Sequence, residues 1–129
     1  MKRITAALML MMLLTAHAAL AQCKRTLPIK FERGRTGTVL KGSLGTAKAV
    51  CYKLHARAGQ RMTAHLTSSN KRARFSIGPD FYDADFLEGA SDVTDWEGEL
   101  NDVSGNNNFL IIVSSQKAGE TYTLEINIR

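Results

Sequence analysis

The sequence lacks the motifs from which many hydrolases build an active site. It contains no GxSxG segment, and its serines fall in polar, turn-like clusters without a recognisable acid or base partner. Of its three histidines, His17 lies in an apolar N-terminal region, whereas His55 and His65 fall on outward, basic faces of neighbouring predicted strands. A general base needs a positioned partner and usually a concave site. We therefore predict that the protein is not an enzyme.

Cysteine is also scarce, which limits the metal sites that the chain can form. There are two cysteines, Cys23 and Cys51, and neither a CxxC nor an HExxH spacing occurs. Two cysteines alone cannot complete a structural zinc site. In an oxidising compartment, an isolated pair most simply forms a disulfide. We predict a Cys23–Cys51 bond that ties the N-terminal segment to the domain and stabilises the fold by about 3 kcal/mol.

No apolar run is long enough to span a bilayer comfortably, and the one substantial run lies at the N-terminus. It follows the basic start Met1-Lys2-Arg3 and precedes the small residues of Ala19-Leu20-Ala21. This order is typical of a secretory signal peptide. We predict a signal peptide at residues 1–21 and, since 129 − 21 = 108, one domain of 108 residues at 22–129. The expected location is periplasmic or secreted.

The rest of the chain shows no convincing helical stripe and instead alternates with a period of two, as half-buried strands do. The clearest inward-facing sets are Val50, Tyr52, Leu54 and Ala56; Met62, Ala64 and Leu66; and Tyr122, Leu124, Ile126 and Ile128. Residues 109–113 are apolar throughout, which predicts a central or doubly covered strand. The candidate strands are 29–33, 36–42, 50–57, 61–67, 73–77, 94–100, 109–115 and 121–128. About eight short strands separated by turn residues predict an all-β fold, an antiparallel β-sandwich of jelly-roll type.

Charge is divided between the two halves of the predicted domain. Residues 22–78 hold thirteen Lys or Arg and one acid, whereas residues 79–129 hold two Lys or Arg and eleven acids. One interpretation is mutual neutralisation by cross-strand pairs. The other is an acidic patch within residues 80–102 that attracts a basic partner. The exported location and the acidic half argue against nucleic acid as a partner.

The acidic segment supplies two further hypotheses. The patch interpretation assigns partner contacts to Asp83, Asp85 and Glu88. Calcium is the alternative ligand, because these carboxylates and two neighbouring aspartates offer hard oxygen atoms, although their spacing matches no EF-hand loop. We expect no other cofactor.

The single tryptophan, Trp96, also has two interpretations. Its place in Trp96-Glu97-Gly98 favours an indole buried against a neighbouring strand. Alternatively, the ring could stack on a sugar, and the protein would then be an accessory module that binds cell-wall glycan.

Several short motifs occur in an order that resembles a known family. They are Phe31-Glu32-Arg33-Gly34, Lys41-Gly42, Tyr52-Lys53-Leu54, Ala58-Gly59-Gln60, Trp96-Glu97-Gly98-Glu99-Leu100 and Tyr122-Thr123-Leu124-Glu125-Ile126. This order resembles the pre-peptidase C-terminal-like sandwich domain and, among its free-standing exported members, the periplasmic inhibitors of goose-type lysozyme. The resemblance extends over residues 29–128.

The resemblance implies that the protein inhibits a lysozyme by inserting loops from one end of the sandwich into the enzyme cleft. In that family, an aromatic residue just after the Lys-Gly step and arginines in the loop before the last strand make the contacts. The corresponding positions here are Ser43 and Leu44, and Gln116 and Lys117. Together with Asp83, Asp85 and Glu88 of the acidic segment, these four are the predicted partner-binding residues, and the expected partner is a lysozyme or another basic envelope protein. The alternative function is a glycan-binding or calcium-binding accessory module without inhibitory activity.

Overall fold

A computed structural model describes residues 26–45, 49–80, 85–101 and 105–129, and the described part is all-β. Its strands are β1 Thr26–Pro28, β2 Gly37–Leu44, β3 Ala49–His55, β4 Arg61–Ser68, β5 Arg74–Pro79, β6 Asp95–Glu99, β7 Asn108–Ser114 and β8 Glu120–Ile128. The predicted all-β fold is confirmed. The predicted signal peptide and Asp83 lie outside the described residues, and no described helix is long and apolar enough to cross a membrane.

The strands form two four-stranded sheets. Sheet A has the order β1-β3-β7-β5, and sheet B has the order β2-β8-β4-β6. All neighbours are antiparallel except β1 and β3, which run parallel. Consecutive strands repeatedly change sheets, so that β2 and β3, β4 and β5, and β7 and β8 are joined across the sandwich.

The core lies between the two sheets and follows the alternation seen in the sequence. Residues 109, 111 and 113 of β7 are buried, as are residues 122, 124, 126 and 128 of β8 and residues 62, 64 and 66 of β4. Two core phenols meet across the sandwich: the hydroxyl groups of Tyr52 on β3 and Tyr122 on β8 are 2.5 Å apart. Burial is the main cause that raises the pKa of Tyr122, and the bond to Tyr52 adds to it. The two sheets are therefore joined by apolar packing and by one buried polar contact.

Seven of the eight predicted strands overlap an observed strand, but the first does not. The sequence predicts residues 29–33 as the first strand, whereas β1 is Thr26–Pro28. The pairing ends at Ile29, whose N–H donates to the carbonyl of Lys53 at 2.9 Å. The chain then turns, and the N–H of Arg35 donates to the carbonyl of Glu32.

Two features of β3 and β4 go beyond the alternation in the sequence. Cys51 alternates with the inward-facing Tyr52 and Leu54, yet it is completely buried on β3, an interior strand between β1 and β7. Its predicted disulfide partner, Cys23, lies outside the described residues, so this bond stays a prediction. In addition, β3 and β4 belong to different sheets, and the exposed His55 and His65 therefore lie on opposite faces of the sandwich.

The segment 85–94 closes one open side of the sandwich. The backbones of Val93 and Phe75 exchange two hydrogen bonds at the edge of β5, and the carbonyl of Thr94 accepts the N–H of Leu66 on β4. Trp96 follows at the start of β6 with its side chain buried, and its Nε1–H donates to the carbonyl of Glu88 at 2.9 Å. The interpretation of Trp96 as a core residue is confirmed, and its indole is not a surface for stacking on sugars.

Candidate partner-binding end of the sandwich

Three connections leave the sandwich at the same end. Leu44 at the end of β2 pairs with Glu120, Ser68 at the end of β4 pairs with Tyr122, and Arg74 pairs with Ser114 at the end of β7. The residues that follow β2, the turn 69–73 and the loop 115–119 are therefore neighbours. We call this region, comprising residues 43–45, 69–74 and 115–120, the basic end.

The end of β2 meets the loop before β8 directly. The N–H of Gly119 donates to the carbonyl of Leu44 at 2.7 Å. Ser43 is exposed on the outer face of sheet B, opposite Thr121. The Leu44 side chain is a core residue with no exposed surface, so the expectation that it contacts a partner is wrong. The alternation along β2 turns Leu44 inward when Ser43 turns outward.

Gln116 and Lys117 lie in the loop 115–119, and both are exposed. The N–H of Lys117 donates to Oγ of Ser115 at 3.3 Å, and Gly119 completes the loop with a φ of 94° that favours glycine. The structure thus brings Ser43, Gln116 and Lys117 to one end of the molecule, although they come from distant parts of the chain.

The turn 69–73 contributes cations that lie outside the family motifs. Lys71 and Arg72 are exposed, and Arg74 is half-buried at the start of β5. A cleft of about 520 Å³ separates this turn from the loop 115–119, and its charged lining residues are Lys71, Arg72, Arg74, Asp92 and Lys117. The run Lys71-Arg72-Ala73-Arg74 was visible in the sequence, but its proximity to Lys117 depends on the pairing of β5 with β7.

A buried carboxylate lies beneath the turn 69–73. Glu120, at the first position of β8, is fully buried, and its Oε2 accepts the N–H of Asn70 at 3.0 Å and the hydroxyl of Ser69 at 3.5 Å. Burial raises the pKa of Glu120, but hydrogen bonds from Asn70, Ser68 and the backbone of Arg72 together hold that pKa below its usual value. Glu120 therefore ties the turn to β8 through hydrogen bonds.

The acidic residues predicted to contact a partner lie elsewhere. Asp85 and Glu88 are exposed on the segment that closes the side of the sandwich. Asp85 lies beside Gly78, towards the end of β5 that is farther from the basic end. Within the described ranges, no group of three or more His, Cys, Asp or Glu side chains could hold a metal ion.

Ion pairs join the basic half of the chain to the acidic half. Lys53 Nζ lies 3.1 Å from Asp80 Oδ2, and Arg61 Nη2 lies 4.0 Å from Glu97 Oε1. These exposed pairs contribute little stability individually. They support mutual neutralisation for part of the acidic segment, whereas neither Asp85 nor Glu88 forms a salt bridge with a described residue.

A larger depression, of about 1190 Å³, lies over the outer face of sheet B. Glu125, His65 and Asp95 stand side by side across three strands at its base. Nδ1–H of His65 donates to Oδ1 of Asp95, and this bond is the main cause that lowers the pKa of Asp95. The pair resembles a base with its orienting carboxylate, but the described lining contains no cysteine or serine as a nucleophile.

Comparison with known proteins finds the same fold in several solved structures. No protein-family model and no curated protein matches the chain. A solved structure of the periplasmic inhibitor of g-type lysozyme from Aeromonas hydrophila matches 81% of this chain and 96% of its own, with 24% identity and a TM-score of 0.64. The Salmonella Typhimurium inhibitor matches 81% and 98%, with 20% identity and a TM-score of 0.57. The pre-peptidase C-terminal domain of a Bacillus anthracis collagenase matches 81% and 95%, with 12% identity and a TM-score of 0.55. The resemblance seen in the motifs is thus confirmed at the level of the fold that this chain shares with lysozyme inhibitors and pre-peptidase domains.

Proposed function

We propose that this protein is an exported, non-enzymatic inhibitor of a goose-type lysozyme and that the basic end enters the enzyme cleft. The observation that carries the proposal is the direct contact between the end of β2 and the loop 115–119, which presents Ser43, Gln116 and Lys117 on one surface. The fold shared with periplasmic inhibitors of g-type lysozyme supports it. The location that we propose is periplasmic or secreted, and residues 1–21 are removed as a signal peptide.

The first test is lysis of a peptidoglycan substrate by goose-type, chicken-type and invertebrate-type lysozymes, with and without the oxidised protein. We expect stoichiometric inhibition of the goose-type enzyme. Failure to inhibit it at a large molar excess would reject this function.

Reversing one charge at the basic end tests whether this surface contacts the lysozyme. Lys117→Glu at the basic end should weaken inhibition at least about tenfold, because a close pair of opposite charges becomes repulsive. Lys30→Glu is the matched control, since Lys30 is an exposed lysine that follows β1 towards the opposite end. Equal inhibition by both variants would place the contact surface away from the loop 115–119.

A further inference from the structure

The cleft between the turn 69–73 and the loop 115–119 has a strong excess of positive charge. Four cationic residues line it, Lys71, Arg72, Arg74 and Lys117, and Asp92 is the acid among the lining residues. None of the four cations forms a salt bridge with a residue in the described part of the chain. Elsewhere, two basic residues of the segment 22–78, Lys53 and Arg61, do pair with acids. The cations of the cleft are therefore available to an external anion.

The turn that carries these cations has a defined conformation. Nη1 of Arg74 donates to the carbonyls of Lys71 at 3.0 Å and Ala73 at 2.9 Å. Lys71 has a φ of 58°, and its N–H donates to the carbonyl of Ser68 at 3.2 Å. The Ser68 hydroxyl in turn accepts the N–H of Ala73. Because the backbone is held in this way, Lys71 and Arg72 lose less conformational entropy on binding than residues of a mobile loop would.

Glu120 fixes the position of the turn relative to β8. Besides the two bonds that Oε2 accepts from Ser69 and Asn70, the Ser69 hydroxyl oxygen accepts the N–H of Thr121 at 3.1 Å. A buried carboxylate is costly unless hydrogen bonds or opposite charges compensate it. Here the hydrogen bonds from Ser69 and Asn70 supply this compensation.

We propose that this cleft binds carboxylate groups on the surface of a protein partner, with Lys71, Arg72 and Lys117 as the contacting cations. Its volume is sufficient for several side chains and is within the range of specific binding sites. Arginine suits carboxylates in particular, because its planar guanidinium can donate two parallel hydrogen bonds. In the context of the proposed function, which supplies the identity of the partner, the turn 69–73 provides the cations of the inhibitory surface together with the loop 115–119.

The cleft is tested directly with the whole protein and a hexaglutamate peptide, followed by amide chemical shifts at low salt. We expect shifts centred on residues 69–74 and 114–117, and an affinity that falls as salt is raised. Replacing Lys71, Arg72 and Lys117 together by Gln should weaken peptide binding about tenfold or more. The matched control replaces Lys30, Arg33 and Arg57 by Gln, which removes the same charge from exposed positions outside the cleft.

Shifts spread over the whole surface, or equal weakening in the two triple variants, would overturn the carboxylate site. Inorganic phosphate is run as a separate arm, and tighter binding of phosphate than of the peptide at the same residues would overturn the assignment to carboxylates. Lysozyme inhibition is measured with the wild type, the cleft variant and the control variant. This measurement distinguishes the proposed lysozyme function from the proposed carboxylate site. If the wild type does not inhibit but binds the peptide at the cleft, the lysozyme function fails and the carboxylate site stands. If it inhibits and the cleft variant inhibits as well as the control variant, the assignment of these cations fails.

Discussion

Gly42 is the position at which a single added carbon should most clearly disturb the basic end. It pairs with Tyr122 across β2 and β8, and the phenol of Tyr122 lies over it. A Cβ at residue 42 would lie 2.3 Å from Oη and 2.6 Å from Cζ of Tyr122. Neither distance is compatible with van der Waals packing. The ring cannot move freely, because it is buried and its hydroxyl is bonded to Tyr52.

The expected cost of Gly42→Ala follows from three contributions. Overpacking a core costs about 1–3 kcal/mol, and loss of the Tyr52–Tyr122 hydrogen bond costs about 1 kcal/mol. Alanine opposes these costs by about 0.4–1 kcal/mol, because it restricts the unfolded chain. We expect a net decrease of about 2 kcal/mol in the free energy of unfolding. Gly45→Ala is the control: an added Cβ there meets no described atom within 4 Å, and its φ is not in the left-handed region.

Urea unfolding followed by tryptophan fluorescence measures both variants, because Trp96 is the single tryptophan and is buried. Gly45→Ala should be neutral or stabilising by up to about 1 kcal/mol. If the two variants had the same unfolding midpoint, the packing of Tyr122 over Gly42 would be wrong. The test also concerns function, since Ser43 follows Gly42 and its backbone position depends on the same pairing.

Three further perturbations test separate parts of the structure. In a double-mutant cycle of Tyr52→Phe and Tyr122→Phe, unfolding free energies should give a coupling of about 1 kcal/mol, and additive effects would contradict the hydrogen bond between the sheets. Cys51→Ala should lower the free energy of unfolding by about 3 kcal/mol and abolish the effect of reductant on the midpoint, whereas a wild type insensitive to reductant would exclude the disulfide. The hydrogen bond from His65 lowers the pKa of Asp95 in the folded protein. The stability that this bond contributes is therefore complete above the ordinary pKa of 3.8 and is lost as the pH falls towards the lowered value. As the pH falls below 3.8, the free energy of unfolding should therefore decrease less in the Asp95→Asn variant than in the wild type. If the urea midpoints of the two proteins decreased in parallel with pH, the bond between His65 and Asp95 would be contradicted.

Side-chain alternation is a local property, and for that reason the sequence predicts the inner faces of the strands well. The inward positions of β4 and β8 are those that the period of two indicates. The same alternation also indicates one buried position just before the predicted last strand. Glu120 has the same parity as Tyr122 and Leu124, so extending β8 by one residue already directs this carboxylate into the core.

Sheet membership is not local, and here the sequence was insufficient. The turn Ala58-Gly59-Gln60 has the composition of a hairpin turn, yet the chain crosses there from sheet A to sheet B. The N–H of Gly59 donates to the carbonyl of Leu100, which lies far away in the sequence. Such long-range contacts decide whether a turn joins two strands of one sheet, as in a hairpin, or two strands of different sheets. They also decide which loops share one end of the sandwich, and the proximity of Arg72 to Lys117 could not be predicted without them.

The spatial distribution of ion pairs explains how a nearly neutral domain can present a basic surface. Residues 22–129 carry fifteen Lys or Arg and twelve acids, a formal charge of 15 − 12 = +3. Lys53 and Arg61 of the basic half pair with acids of the other half, whereas the cations of the turn 69–73 and Lys117 have no such pair among the described residues. Local potential rather than net charge steers association. The affinity for a partner surface that presents carboxylates should therefore depend on the cations of the cleft and remain nearly unchanged when the same number of charges is removed elsewhere.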